Sequence, residues 1–329
     1  MEYRKLGRSG LHVSELCLGT MQFGWTADEA TSCAVLNAFM EAGANFIDTA
    51  NVYTGWTKDS WVGHSEEILG RWMQATPGLR RKVVMATKCK GRMWDGPDGE
   101  GLSARHIIRA CEDSLRRLQT DYIDLYQFHG VDYTTPIEES LRAMDSLVRA
   151  GKVLHIGTSN FAAWRIAQAL WASDVSGLAS FVSYQPLYSI MERPTFEVEH
   201  AGLCKKFGIG VIPYSPLAAG FLTGKYKRDG AAVQSARADG VKKYCNDHGW
   251  TIIETLEKIG HAHNKSVAQT ALAWLLSQPV ITAPIVGANT VEQLKELLGV
   301  VGYRLSTDEM ANIDDVSGFA REWWRSTPE

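Results

Sequence analysis

Ile123-Asp124-Leu125-Tyr126-Gln127-Phe128, followed by His129, then Thr135-Pro136-Ile137-Glu138 through Gly151, then Val153-Leu154-His155-Ile156-Gly157, decides the fold class. The first run is a strand-length apolar segment. Thr135-x-x-Glu138 has the form of a capping box, with Pro136 set for the first helical position, and Gly151 is a helix stop. A second strand-like run follows at once. Two strands joined through a helix rather than a tight turn lie parallel, so this is a βαβ unit.

The same alternation extends in both directions. Upstream, a hairpin of Tyr3–Leu6 and Val13–Glu15 turns at Ser9-Gly10, and Leu16–Leu18 precedes a helix from Asp28 to Ala42 closed by Gly43. Ala44–Asp48 leads to a helix beginning near Ser65, whose first turn holds Glu66 and Glu67. Val83–Thr87 leads to a long loop and a helix over Ser103–Leu118, with Ile107, Ile108, Cys111, Leu115 and Leu118 on one face. Downstream come a helix over Ala162–Ser173, the strand Phe181–Gln185 and a helix ending before Gly208. Gly210–Tyr214 then precedes a long insertion, 215–250, and a helix capped by Ser266-x-x-Gln269. Ile281–Val286 and a helix capped by Thr290-x-x-Gln293 complete the series.

Eight such repeats predict an α/β fold, a closed (β/α)8 TIM barrel with an N-terminal β-hairpin and long loops at its C-terminal face. A doubly wound sheet is the rival, but Gly-x-Gly-x-x-Gly after an early strand is missing. No low-complexity linker interrupts the chain, so one domain over residues 1–329 is expected.

Composition narrows the function. With 45% hydrophobic and 22% charged residues the chain is ordinary globular protein, and a net charge of −3 gives no footprint for nucleic acid. No apolar stretch suits a membrane span, and the start lacks a signal-peptide core. The six cysteines Cys17, Cys33, Cys89, Cys111, Cys204 and Cys245 have no paired spacing, so buried free thiols and a cytoplasmic setting are expected. No His/Cys cluster has ligand spacing, and His261 and His263 suit a solvated face or a helix-terminal partner better than a metal.

Four residues of different chemistry stand at or just past strand ends: Asp48, Tyr53, Lys88 and His129. In a parallel barrel all those ends reach one face, where barrels carry their chemistry. Each has a structural alternative: a turn cap for Asp48, a packed loop ring for Tyr53, a solvated strand cap for Lys88, a satisfied buried imidazole for His129. Together they suit proton donation to a developing alkoxide. A neighbouring ammonium is expected to lower the pKa of Tyr53, Asp48 to hold Lys88 charged, and His129 to donate to a substrate carbonyl oxygen.

Hydride addition also needs a cofactor site. Val286-Gly287-Ala288-Asn289-Thr290 opens a helix that Thr290 and Gln293 cap, which predicts open amides and a positive dipole end for phosphate. Ser215-Pro216-Leu217-Ala218-Ala219-Gly220 is a loop of small residues, with Lys225 beyond it. Tyr214 is placed to lie against a nicotinamide ring, and Ser159, Asn160 and Gln185 to hold its carboxamide.

These motifs carry a resemblance. Gly19-Thr20-Met21, Asp48-Thr49-Ala50-x-x-Tyr53, Gly63-His64-Ser65-Glu66, Ala86-Thr87-Lys88, Gly157-x-Ser159-Asn160-Phe161, Tyr214-Ser215-Pro216-Leu217 and Gly220-x-Leu222-Thr223-Gly224-Lys225-Tyr226 resemble those of the aldo-keto reductases over nearly the whole chain. The greatest similarity is to bacterial members that also resemble potassium-channel β subunits. The resemblance implies NAD(P)H-dependent carbonyl reduction, ordered binding of cofactor then substrate, and catalytic roles for Asp48, Tyr53, Lys88 and His129. Gly19, Thr20, Met21 and Asp48 join the implied cofactor contacts. Many members carry Arg where this chain has Asn289, and often Asn where it has Leu297. NADP(H) is therefore expected, with NAD(H) open.

Of eleven tryptophans, Trp25, Trp56, Trp61 and Trp94, with Trp323 and Trp324 near the C-terminus, fall in loops assigned to the active face. Trp25, Trp56, Trp94 and His129 are the expected substrate contacts, although loop packing accounts for such rings equally well. Two other functions stay open: a Schiff-base aldolase using Lys88, and a cofactor-sensing partner protein.

Overall fold

The computed structural model describes residues 1–319 apart from 229, 231, 232, 234, 235 and 237, so Trp323 and Trp324 lie outside the described residues. Strands β1 (Tyr3–Lys5) and β2 (His12–Ser14) form the expected antiparallel hairpin. Eight strands then pair in parallel: β3 (Cys17–Gly19), β4 (Phe46–Asp48), β5 (Val84–Cys89), β6 (Ile123–Phe128), β7 (Val153–Ser159), β8 (Phe181–Gln185), β9 (Gly210–Val211) and β10 (Ile285–Val286). Their order is β10-β3-β4-β5-β6-β7-β8-β9. The ring closes where Val211 bridges Ile281, with Thr282 N donating to Val211 O (2.8 Å) and Ile285 N to Pro213 O (2.8 Å). This is the (β/α)8 barrel that the alternation predicts.

The two closing strands are shorter than the runs Gly210–Tyr214 and Ile281–Val286. The cause is local. Pro213 and Pro284 have no N–H to give a ladder, so regular pairing stops while their carbonyls still accept from Ile285 and Cys17.

Helices surround the ring: α1 (Glu29–Glu41), α2 (His64–Ala75), α3 (Ala104–Leu118), α4 (Ile137–Arg149), α5 (Ala163–Ser176), α6 (Ala201–Phe207), α7 (Ala238–Val241), α8 (Asp247–Ala262), α9 (Val267–Ser277), α10 (Val291–Leu298) and α11 (Thr307–Val316). Asp28, Ser103, Ser266 and Thr290 cap as their positions predict, and Ser266 with Gln269 completes a capping box. The box expected at Thr135 does not form. Pro136 itself occupies the cap of α4, and Thr135 Oγ1 donates to Asp132 instead (2.8 Å). On α3, Ile107, Cys111, Leu115 and Leu118 are buried, but Ile108 is 40% exposed because it lies a hundred degrees round from Ile107. The segment 215–250 is not one loop: it holds a wound turn, Ala218–Thr223, then α7 and the start of α8.

Two layers of core result. The larger lies between barrel and helices. The smaller fills the barrel itself with Cys17, Phe46, Val84, Ala86, Leu125 and Ile212 among others, and Leu6 and Val13 of the hairpin join it. The hairpin is thus the floor of the barrel. Gly7 seals it in a left-handed conformation (φ 55°), where a Cβ would stand 2.3 Å from Val182 O and 2.7 Å from Gly208 O. Arg4 pins it further, donating to Ile281 O (2.9 Å) and Leu276 O (3.1 Å).

Glu66 of the Gly63-His64-Ser65-Glu66 motif is fully buried. It accepts from Thr87 Oγ1 (2.6 Å) on β5 and from Arg117 Nε (2.7 Å) on α3. Thr87 faces outward, so its neighbour Lys88 faces the barrel interior. Cys17, Cys89, Cys111 and Cys204 are buried free thiols, Cys33 is half-buried and Cys245 exposed. Among the described residues no helix is long and apolar enough to cross a membrane, no His/Cys/Asp/Glu group is placed to hold a metal, and His263 pairs with Glu309 (2.6 Å).

Candidate active site

With the floor sealed, the open end of the barrel is where the strand C-termini arrive. Asp48 ends β4, His129 follows β6, and Gln185 ends β8. Lys88 sits one residue inside β5, which runs further than Val83–Thr87, and it is paired in register with Gln127. Tyr53 comes from the loop after β4.

The structure brings all four together. Lys88 Nζ, fully buried, donates to Asp48 Oδ1 (2.5 Å), Thr49 O (2.8 Å) and Tyr53 Oη (3.0 Å). An ammonium has three protons, so this one is fully engaged. Tyr53 Oη therefore receives a hydrogen bond from Lys88 and keeps its own proton free for the cavity. Asp48 Oδ2 accepts from Gln127 Nε2 and Gln185 Nε2, each at 3.0 Å. Gln127 escaped the sequence reading. Its signal is an amide inside the otherwise apolar end of β6, where an inward position must be satisfied.

Electrostatics follow from burial and these contacts. Burial opposes charge on Lys88, but the Asp48 carboxylate and the Tyr53 oxygen overcome it and hold the ammonium above the usual lysine value. The expectation for Tyr53 is corrected. Its pKa is raised, because desolvation of the phenolate outweighs the Lys88 charge, which does act in the lowering direction, while Asp48 adds to the rise. His129 lies edge-on to Tyr53, ring centroids 5.9 Å apart. Burial, Lys88 and Lys90 push its pKa down to about 3, so its imidazole is neutral near pH 7 and offers one N–H.

Tyr53 and His129 face an inner cavity of about 460 Å3, whose wall includes Gly19, Thr20, Met21 and Asp48. Ser159, Asn160, Gln185 and Tyr214 line the opposite side. An outer lobe of about 710 Å3 continues from it past Gln22, Trp25, Ser215, Val286 and Gly287. Pro216, Leu217, Gly220, Lys225, Asn289 and Gln293 line this lobe, with Glu296 near Gln293. The joined lobes suit a long ligand with a ring at one end. Lys225 is exposed and is the lobe's one cation among the described residues.

Other expected contacts stand elsewhere. Ala218 and Ala288 are buried behind the walls, and Thr290 caps α10 beside a separate shallow recess. The amides of that turn are less open than predicted, because Asn289 N donates to Gln293 Oε1 (2.8 Å) and Gln293 N to Thr290 Oγ1 (3.2 Å). Asn160 Nδ2 is engaged by His129 O (3.0 Å), and Asn160 Oδ1 accepts from Tyr214 Oη (3.0 Å). Gln185 Oε1 has no protein donor among the described residues, which leaves an acceptor for an amide in the inner cavity.

Of the tryptophans, Trp25 lines both lobes, and Trp56 lies edge-on to Trp25 (5.7 Å) and Tyr53 (6.2 Å). Trp61 instead stacks on His64 (3.9 Å). Trp94 is away from the cavity, packed on His106 (5.0 Å) with the Arg109 guanidinium 4.0 Å from its ring centre. Loop packing explains both.

Comparison with known proteins agrees with this geometry. Residues 15–317 match the pattern of the aldo/keto reductase family. An uncharacterized oxidoreductase, YrpG, of Bacillus subtilis is 40% identical over 96% of this chain and 96% of its own. A probable voltage-gated potassium channel subunit beta of Oryza sativa is 36% identical over 90% of each chain, and the protein tas of Escherichia coli 34% identical over 96% of this chain and 97% of its own. A family pattern running from the first barrel strand to the last helix, on a barrel carrying this strand-end cluster, settles the assignment: the chain belongs to the aldo/keto reductase family of oxidoreductases.

Proposed function

We propose that this protein, acting as one barrel unit in a reducing cytoplasmic setting, reversibly reduces an aldehyde or ketone to the alcohol with NADP(H), or alternatively NAD(H). The observation that carries the reading is the single ammonium of Lys88 joining Asp48 to the Tyr53 hydroxyl. The bound cofactor supplies the hydride. Tyr53 gives its free proton to the developing alkoxide, and Lys88 stabilises the phenolate that remains. Asp48 keeps Lys88 charged, with Gln127 and Gln185 as positioning residues. Neutral His129 donates its N–H to the carbonyl oxygen and orients it. The test is loss of reduced-nicotinamide absorbance with a panel of aldehydes and ketones, using both cofactors.

The protonation states fix a pH profile. Tyr53 must carry its proton, and its pKa lies above the usual phenol value of about 10. His129 stays neutral down to about 3. The kcat/KM for reduction is therefore expected to be flat from about pH 6 to 8 and to fall only in alkali. A break near the ordinary histidine value that disappears in His129→Gln would contradict neutral His129. Stability behaves differently: His129 binds its proton near pH 6.5 only when unfolded, so its contribution is present above that pH and is lost as the pH falls toward 3.

Lys225 is the proposed phosphate contact of the cofactor. Lys225→Ala should raise the cofactor dissociation constant roughly tenfold, the size of one charged hydrogen bond, with kcat nearly unchanged. An unaltered constant in fluorescence titration would remove Lys225 from the site. The aldolase reading is disfavoured, because an ammonium held by Asp48 is a poor nucleophile. A regulatory role keeps support from the likeness to a channel subunit, and cofactor binding without carbonyl turnover would favour it.

A further inference from the structure

Next to the inner cavity, across His129, lies a second, shallower recess of about 400 Å3. Its wall is Lys90, Gly91, His129, Gly130, Val131, Tyr133 and Asn160, so Lys90 is its one formal charge and no carboxylate faces it. His129 and Asn160 belong to both spaces. A substrate whose carbonyl meets Tyr53 and His129 therefore has this recess within reach on the His129 side.

Lys90 is unusual in two respects. First, its backbone has φ 135°, a conformation that L side chains rarely adopt and that costs about 1–3 kcal/mol. Three flanking hydrogen bonds hold it there: Gly101 N to Lys90 O (2.7 Å), His129 N to Cys89 O (2.9 Å) and Asn51 N to Lys88 O (3.2 Å). Glycine would adopt this φ without strain, and Gly91 stands next in the chain. Second, Lys90 is half-buried, yet its ammonium has neither a carboxylate nor a hydrogen-bond acceptor among the described residues. Its stem lies against Gly130, where a Cβ would meet Lys90 Cδ at 3.6 Å and Cε at 3.8 Å. The charge is near enough to His129 to disfavour its protonation. Asp132, which stands between Val131 and Tyr133 of the wall, is committed elsewhere and accepts from Leu102 N (2.7 Å), Thr134 Oγ1 (2.7 Å) and Thr135 Oγ1 (2.8 Å). Tyr133, another residue of the wall, carries the Arg165 guanidinium 4.6 Å from its ring centre, so a second cation stands near the recess.

We propose that Lys90 determines specificity for carbonyl substrates bearing an anionic oxyacid group, a carboxylate or a phosphate, held in this recess while the carbonyl lies at Tyr53. The inference rests on the carbonyl-reductase reading of the same site and names its substrate class. Lys90 takes no part in proton transfer. It anchors the end of the substrate away from the carbonyl, so its effect falls on KM rather than on kcat for a neutral substrate.

The experiment compares 4-formylbenzoate with its methyl ester, and ω-carboxy aldehydes of increasing chain length with ω-phospho aldehydes, for the wild type, Lys90→Met and Lys90→Gly. The wild type should favour the anions, with a KM at least about tenfold lower than for the ester. Both variants should lose that preference and keep the kcat of the ester. Lys90→Gly should in addition raise the melting temperature by releasing the backbone strain, which separates the charge from any structural role. Equal kcat/KM for anion and ester in the wild type, or a preference that survives both substitutions, overturns the inference. The chain-length and phosphate arms identify which oxyacid fits. Should no aldehyde be reduced, the carbonyl-reductase reading fails, and Lys90 is still decided by equilibrium binding. Tryptophan fluorescence of the cofactor-loaded protein should then report tighter binding of 4-formylbenzoate than of the ester in the wild type only, and any other outcome rejects it.

Discussion

Tyr53→Phe should lower kcat for carbonyl reduction by about a hundred- to ten-thousandfold, the usual worth of a positioned general acid. The ring remains, so its edge contacts with Trp56 and His129 are retained, and the cofactor dissociation constant should scarcely change. What disappears is the one hydroxyl whose proton Lys88 leaves free. A single Lys88 N–H also loses its acceptor, which should cost about 1–3 kcal/mol of folding stability. Rapid-mixing single turnovers separate chemistry from product release. A variant whose chemical step stays within about twofold of wild type would exclude Tyr53 as the acid.

The second large effect concerns the buried pair. Lys88→Met should abolish turnover and cost about 3–5 kcal/mol, because it leaves the Asp48 carboxylate in the barrel interior without its cation. Gln127 and Gln185 still donate to one oxygen, but neither carries charge. Adding Asp48→Asn to Lys88→Met should recover most of the stability and none of the activity, since neutral groups tolerate burial while Tyr53 still lacks its partner. Denaturant midpoints and initial rates on the three variants measure both. If Lys88→Met unfolded at the wild-type midpoint, the pair would be neither buried nor coupled as described.

Strand and helix periodicity made the barrel legible, since α1, α3, α9 and α10 carry side-chain caps where the sequence puts them and α3 buries a continuous apolar stripe. Ends were less legible where a distant partner sets them. β5 runs on to Cys89 because β6 offers it ladder partners as far as Phe128, whereas β9 ends ahead of Pro213 and β10 begins only after Pro284. The site was readable as residue types at strand ends. Gln127 was not, because a lone amide in an apolar run gains meaning only once Asp48 is across from it. The sign of the Tyr53 shift was misread for a related reason. A sequence names the neighbouring charge but not the amount of water removed, and here the second effect is larger. The same holds for Asn160 and the amides near Thr290, whose hydrogen bonds are spent on partners that sequence order does not reveal.

The hairpin under the barrel has a consequence for biosynthesis. Its segment is made before the barrel it closes, and its lasting neighbours are Val182, Gly208, Leu276 and Ile281, which are translated much later. Nascent chains short of those residues have a cap with nothing to cap, so the tunnel-proximal part of the protein must arrive before the oldest part can settle. Closure of the base is thereby tied to synthesis of the segment around Leu276 and Ile281, and products stalled before it are left open there.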